Sequence, residues 1–503
     1  MALQVNLLDN LILGFSVTLT PVNLLYCLIG AMVGTLIGVL PGIGPSATIA
    51  MLLPITFKFS PVGALIMLAG IYYGAMYGGS TTSILVNIPG ETASVVTCLD
   101  GYAMARQGRA GPALCVAALG SFFAGCVATV IIFLFAPPLA KLALKFGPAE
   151  YFSLMVLGLV AAVVLAHGDL LKAIAMVLLG LLLGIVGTDV TSGTARFTFG
   201  ISELMDGIGF DVVAMGMFGF TEIISNLELK EKRQVFTSKV GKLMLTWADF
   251  KASWKAVIRG TALGSVLGIL PGGGAIVSSF ASYALEKRVA TDPSRFGKGA
   301  IEGVAGPESA NNAAAQTSFI PLLTLGIPSN AAIALLLGAM MIQGIAPGPN
   351  VMTKFPQLFW GLIVSMWIGN LILVVLNLPL IGIWIRLLTV PYRLLFPAIL
   401  LFICIGAYSL NNKPFDVALT AGFGLLGYIF LKLDCEPAPL LLGFILGPMM
   451  EEYLRRAMLL SRGDPSVFFT RPISLAMLVG AAFLLLLVIA PAVRRKREEA
   501  FTE

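Results

Sequence analysis

The sequence predicts an all-α polytopic membrane protein made of two homologous, inverted repeats with broken helices or re-entrant hairpins, roughly 10–13 membrane segments in all. Three observations predict it. The first is composition: of 503 residues, 58% are hydrophobic and only 12% charged, where a soluble protein carries about 25% charge. The second is that apolar runs of membrane-spanning length recur along the whole chain, giving a mean hydropathy of +0.94. Lipid offers no partner to backbone N–H and C=O groups, so the spans must be helices or a closed barrel, and runs that are continuous rather than alternating select helices. The third is a break that occurs twice: Gly38-Val39-Leu40-Pro41-Gly42-Ile43-Gly44-Pro45 and Gly268-Ile269-Leu270-Pro271-Gly272-Gly273-Gly274. Proline and glycine forbid a straight helix through either.

In chain order, residues 1–20 read as an interfacial helix and 22–40 as the first strong span, ended by the first break. Residues 46–57 are too short to cross alone and read as a half-helix. A span over 62–77 runs into the polar cluster Ser80-Thr81-Thr82-Ser83, and Asn87-Ile88-Pro89-Gly90-Glu91 interrupts the chain again. An amphipathic stretch over 92–109 follows, then spans at 113–136, 151–166 and 170–187, a polar loop over 188–211 and a short apolar piece over 212–225. This first membrane repeat covers 1–225. Residues 226–259 are the clearest shift toward charge and read as a cytoplasmic linker.

The second repeat, 260–462, opens with the second break. It continues through the charged loop 286–298, the polar stretch 302–315, the cluster Gln316-Thr317-Ser318 and a further break at Gly326-Ile327-Pro328-Ser329-Asn330. Spans follow at 331–345, 358–378, 394–407 and 418–431, then a short piece at 440–450 and a basic amphipathic stretch at 452–462. Residues 463–503 hold an additional transmembrane helix and the basic tail Arg494-Arg495-Lys496-Arg497, which the positive-inside rule places in the cytoplasm.

Laid over each other, the halves match at Gly34, Gly38, Leu40, Pro41, Gly42 and Gly44 against Gly264, Gly268, Leu270, Pro271, Gly272 and Gly274. Thr82-Ser83 then matches Thr317-Ser318, and Ile88-Pro89 matches Ile327-Pro328. Interrupted helices at equivalent places in duplicated halves are the sequence pointer to a secondary transporter's binding site. A helix that stops inside the membrane leaves up to four unpaired backbone groups at that end. Such groups are tolerable only beside water, protein or ligand. A helix N-terminus carries partial positive charge and attracts anions, while unwound carbonyls can hold Na⁺.

The candidate substrate-binding residues are therefore Pro41, Gly42, Gly44 and Ser46 at the first break, Gly272, Gly273 and Gly274 at the second, and Thr81, Thr82, Ser83, Thr317 and Ser318 in the hydroxyl clusters. Asn87, Ser329 and Asn330 join them as expected helix starts, with Pro89 and Pro328 in a first turn, and Asn311 and Asn312 as uncharged amides. A Na⁺ site is expected near Gly42, Gly272 and Asn311. Glu302 and Glu308 are costly if buried and should pair or face water; Glu308 reads as a loop carboxylate in water, with a cation ligand as the alternative, and Asp100 is expected to pair with Arg106.

Other classes are disfavoured. Six scattered cysteines without C-x-x-C spacing suggest neither a disulfide framework nor zinc. The one histidine, His167, excludes an intramembrane metalloprotease on ligand count. No P-loop suggests ATP, and basic residues beside a membrane are no sign of nucleic-acid binding.

Several strings carry a resemblance: Gly38–Pro45, Leu99-Asp100-Gly101-Tyr102-Ala103-Met104-Ala105-Arg106-Gln107-Gly108-Arg109-Ala110-Gly111, Gly306–Ala315, and Ile320-Pro321-Leu322-Leu323-Thr324-Leu325-Gly326-Ile327-Pro328. With these the chain resembles the large membrane subunit of the tripartite tricarboxylate transporters, the TctA family. The resemblance implies a multi-pass permease of the bacterial inner membrane, a small TctB-like membrane partner and a periplasmic TctC-like solute-binding protein. It also implies uptake of an organic carboxylate such as citrate, driven by co-transported Na⁺ or H⁺ and needing no cofactor. A gradient-independent anion channel is the alternative. Departures from the common family pattern fall at Gln316-Thr317-Ser318, Gln343 and Ser329-Asn330.

Overall fold

The computed structural model describes residues 7–40, 44–166, 169–189, 191–228, 243–270, 274–387 and 392–489. Pro41, Gly42, Gly272, Gly273, His167 and the basic tail lie outside the described residues, and so does the Na⁺ site expected beside the first and second breaks.

The first half contributes helices α1 (Leu7–Thr18), α2 (Pro21–Val39), α3 (Pro45–Thr56), α4 (Pro61–Val86), α5 (Ala110–Ala143), α6 (Pro148–Leu165) and α7 (Leu170–Gly184). The second half contributes α8 (Trp247–Leu267), α9 (Gly274–Val289), α10 (Glu302–Thr317), α11 (Ala331–Ile342), α12 (Pro356–Asn377), α13 (Tyr392–Asn411), α14 (Pro414–Lys432), α15 (Pro437–Leu460) and α16 (Pro472–Ile489). Five of these, α2, α4, α5, α12 and α14, are long and apolar enough to cross a membrane, and shorter apolar helices accompany them. The protein is a multi-pass helical membrane protein. Among the described residues one small sheet pairs Gly187 with Arg196 and Thr188 with Ala195 in the loop after α7.

Local chemistry sets many of the starts. Pro21, Pro45, Pro61, Pro148, Pro356, Pro414 and Pro437 occupy first-turn positions, where the missing N–H costs nothing and φ is already helical. Thr20 and Ser60 cap α2 and α4 by accepting from Asn23 N–H and Gly63 N–H, and Thr246 with Asp249 forms a capping box at α8.

Two helix pairs share one packing geometry. In α2, a side chain at Gly30, Gly34 or Gly38 would strike the carbonyl oxygens of Met67, Ile71 and Ala75 in α4. In α8, one at Gly260, Gly264 or Gly268 would strike those of Gly306, Ala310 and Ala314 in α10. Small residues every fourth position let backbones touch where lipid supplies no hydrophobic drive. The spacing is constant: 230 positions separate the glycine rows (260 − 30) and 239 separate the carbonyl rows (306 − 67). The offset of 239 also carries Asn87 to Gly326, both left-handed at the helix end with φ 59° and 73°. It carries Ile88-Pro89 to Ile327-Pro328, and Glu91 to Asn330, each the cap of the next helical turn.

This geometry corrects the sequence match of Thr82-Ser83 to Thr317-Ser318. By the offset of 239 that the carbonyl rows share, Thr317-Ser318 correspond to Gly78-Gly79, one turn before Thr82-Ser83. The polar cluster does not end a span either. Residues 80–83 lie inside α4, which runs to Val86, because their hydroxyls find acceptors within the protein. The pieces read as 440–450 and 452–462 form the single helix α15, with Pro448 accommodated inside it. Asp100 does not pair with Arg106. Its carboxylate accepts from Gly299 N–H (2.7 Å), Ala300 N–H (2.8 Å) and Tyr283 O–H (3.0 Å).

Candidate functional site

A cavity of about 530 Å³ opens where helix starts meet. Pro45 and Ser46 bring the N-terminus of α3 to it, Ala275 and Ile276 that of α9, Asn330 to Ala332 that of α11, and Glu436 to Pro439 that of α15. Glu91 and Thr92 add the short turn that follows α4. The walls are apolar and aromatic, among them Tyr72, Met76, Phe218, Phe280 and Leu442. Among the described residues no Lys or Arg lines the cavity, and the carboxylates that line it are Glu91 and Glu436. Positive attraction here comes from helix ends rather than from side chains.

The lining residues fall into matched places. Pro45 and Ser46 stand 230 positions before Ala275 and Ile276, and Glu91 and Thr92 stand 239 before Asn330 and Ala331. The helix starts that follow the two breaks thus meet at one cavity.

Asn330 is its best-defined polar group. Its Oδ1 caps α11 by accepting from Ile333 N–H (3.0 Å), and its Nδ2 donates to Tyr72 Oη (3.0 Å) and Ser318 Oγ (3.4 Å). Ser318 in turn donates to Gly268 O (3.1 Å), tying this corner to the end of α8. Gly274 begins α9 beside Asn330 and Ser318. Gly44 caps α3, and its N–H donates to Glu222 Oε1 (2.8 Å), so a protein carboxylate already sits at that helix start. Glu91 caps its turn through Oε2, which accepts from Ala93 N–H (2.8 Å), while Oε1 is buried without a partner.

The other expected site residues lie elsewhere. Thr82 donates to Val39 O (2.8 Å) and Gly38 O (3.3 Å), closing the last carbonyls of α2. Ser83 donates to Ser94 O, and Thr317 to Ala313 O within its own helix. Thr81 lines a separate, much smaller void with Ser80 and Ser121. Asn311 and Asn312 are fully buried around Glu308. Ser329 is buried with its hydroxyl unpartnered. Asn87 ends α4 in an exposed left-handed turn rather than starting a helix, and Pro89 and Pro328 lie in the breaks, ahead of the first helical residues. Of the residues expected from sequence, Ser46 and Asn330 line the cavity; Tyr72, Glu91 and Glu436 line it too and were not expected, and Glu222 reaches the Gly44 N–H beside it. The signal for Glu91 was available: it stands in the position equivalent to Asn330.

Outside the membrane-spanning segments, one ionic network fixes the loop after α7. Asp189 pairs with Arg196 (2.5 Å) and Arg455 (2.9 Å), and Glu451 pairs with the same two cations (3.0 and 2.6 Å). The Thr191 N–H, then Arg196 and Arg455, hold the Asp189 carboxyl well below the usual carboxylate range against its partial desolvation.

The profile of the family described as "Tripartite tricarboxylate transporter TctA family" matches residues 24–442. An Agrobacterium vitis protein described as "Uncharacterized 52.8 kDa protein in TAR-I ttuC' 3'region" is 60% identical over 500 residues, 99% of this chain and 100% of the relative. A second from the same organism, "Uncharacterized protein in TAR-II ttuC' 3'region", is 61% identical over 240 residues, 48% of this chain and 99% of the relative. No solved structure matches the chain.

Proposed function

The chain belongs to the tripartite tricarboxylate transporter TctA family, and from that premise we propose that it is the permease subunit of a secondary transporter that imports an organic carboxylate. Its setting is the bacterial inner membrane. A small TctB-like subunit accompanies it, and a periplasmic TctC-like protein delivers the substrate. The observation that carries the reading is the cavity at which four helix N-termini meet with no Lys or Arg among the described residues that line it. Aligned N–H groups suit carboxylate oxygens, and their diffuse charge lets the anion leave again.

Two inverted repeats account for the constant offsets of 230 and 239 and for the matched cavity lining. In such a design each half supplies one helix pair and one broken segment, and rocking or sliding of one against the other exposes the midplane site to alternate sides. Because the cavity also holds Glu91 and Glu436, a polyanionic substrate needs co-transported Na⁺ or H⁺ to offset its charge. No cofactor or nucleic acid has a role in this scheme.

The test is uptake into vesicles containing the full assembly, with radiolabelled citrate as the first probe and a panel of smaller dicarboxylates beside it. Saturable accumulation that follows an imposed Na⁺ or pH gradient supports the reading. Flux that runs only downhill and ignores both gradients assigns an anion channel and overturns it. Ser46→Trp, which fills the cavity mouth at the start of α3, is expected to abolish uptake while leaving the protein in the membrane.

A further inference from the structure

Away from the large cavity, Glu308 is fully buried in α10. Ser80 O–H donates to its Oε2, Thr97 O–H to its Oε1, and Asn311 Nδ2 to Oε2 at 3.3 Å. Each donor is neutral. Among the described residues no Lys or Arg pairs with Glu308. The titratable groups near enough to act on or be acted on by it are Tyr77, Glu91 and Cys98, all of them acids. A carboxylate taken out of water without a positive partner is among the most costly arrangements a membrane protein can hold.

Three donors converge on its two oxygens, and the Ser80 hydroxyl also has Met76 O within hydrogen-bond reach (3.0 Å). The hydroxyls of Ser80 and Thr97 keep lone pairs free while donating. Two further buried polar atoms nearby on α10, Ser309 Oγ and Asn312 Oδ1, have no partner. Ser80 and Ser121, which accepts from Asn312 Nδ2 (2.8 Å), also border a void of about 10 Å³, close to the least space that holds one water.

The geometry points to a site for a dehydrated monovalent cation of the sodium class at Glu308, with the carboxylate and the Ser80 and Thr97 hydroxyls as its oxygen ligands, while the Asn311 carbonyl is held by Asn312 Nδ2 (2.6 Å). One carboxylate among neutral oxygens balances a single positive charge, which suits Na⁺ rather than a divalent ion. The ligands come from α4, from the turn Val95–Thr97 and from α10, so the cation joins both halves. Its role in coupling rests on the transport reading above, whereas its existence does not.

The experiment is thermal unfolding of the purified full-length protein in lipid nanodiscs, titrated with NaCl against equimolar choline chloride at fixed pH. The midpoint of the wild type is expected to rise saturably with Na⁺ alone, and Glu308→Gln to abolish the rise. Ser80→Ala and Thr97→Val keep the carboxylate and test the site if that variant does not fold. Each is expected to raise the half-saturating Na⁺ concentration roughly tenfold. Superimposed Na⁺ and choline curves in the wild type, or a Na⁺ response that survives in all three variants, would overturn the site. A midpoint that follows pH and ignores Na⁺ would assign a proton there instead and overturn it too. Na⁺ stabilisation combined with uptake indifferent to Na⁺ would support the site and overturn only its coupling role.

Discussion

Asn330 shows how much one side chain can carry in a membrane interior. It caps α11, fixes Tyr72 and Ser318, and faces the cavity. Asn330→Ala loses the cap, worth about 1 kcal/mol, and removes the donor to the buried Tyr72 hydroxyl, so its unfolding midpoint should fall by several degrees. Asn330→Asp keeps an oxygen for Ile333 N–H but sets a negative charge toward an anionic substrate. It should stay near wild-type stability and lose most uptake. Thermal shift and uptake measured side by side separate the roles; equal losses of both in the two variants would make the residue merely structural. At Asp189 the sign of the pH effect is fixed by its lowered folded value. The stabilisation is present above the unfolded carboxylate value of about 4 and is lost as pH falls through the folded one. Asp189→Asn should therefore be less stable than wild type at neutral pH, and the gap should close only well below pH ~4. A gap that is constant with pH would remove the carboxylate's charge from the explanation.

For the helices, the glycine rows make the sharpest demand. Gly38→Val would drive a branched side chain into Ala75 O and the backbone of Gly78 and Gly79. Gly268→Val would do the same at Ala314 and Thr317. Overpacking costs about 1–3 kcal/mol where the neighbours can shift, and backbone shifts poorly, so both variants should elute as broadened or aggregated species. Gly422→Ala in α14 meets nothing within 4 Å and should be neutral or stabilising by about 0.5–1 kcal/mol. Monodispersity on size-exclusion chromatography reads the contrast; a well-behaved Gly38→Val would mean that α2 and α4 are not so closely packed. The rows were legible in part: Gly34, Gly38, Gly264 and Gly268 stood out as a repeat, and long apolar runs gave nearly every span within a few residues. What composition could not give was register across helices. Thr82-Ser83 resembles Thr317-Ser318 letter by letter, yet carbonyl-to-glycine contact, not likeness, decides which turn faces which. Nor could local sequence reveal that Asp100 binds backbone N–H groups about two hundred positions away.

At the scale of the whole molecule, the cavity is where both halves present helix starts, and its charge sets what must move together. Helix ends attract one carboxylate well, but Glu91 and Glu436 repel it. If the cavity's carboxyl groups set the demand for cations, replacing one of them should loosen that dependence. Glu91→Gln keeps an oxygen at the atom that caps Ala93 N–H, so the turn should survive. Its Oε1, buried without a partner, would become one end of a neutral amide. The expected outcome is a lower KM for the carboxylate and a shallower dependence of uptake on the driving cation, with stability little changed. Vesicle uptake at a series of cation concentrations, wild type against Glu91→Gln, measures both quantities. A variant with raised KM and unchanged cation dependence would mean that Glu91 itself holds the cation. A variant identical to wild type would mean that the cavity's electrostatics are set by the helix ends alone, and the substrate's charge would then have to be balanced at a distance, by the cation proposed at Glu308.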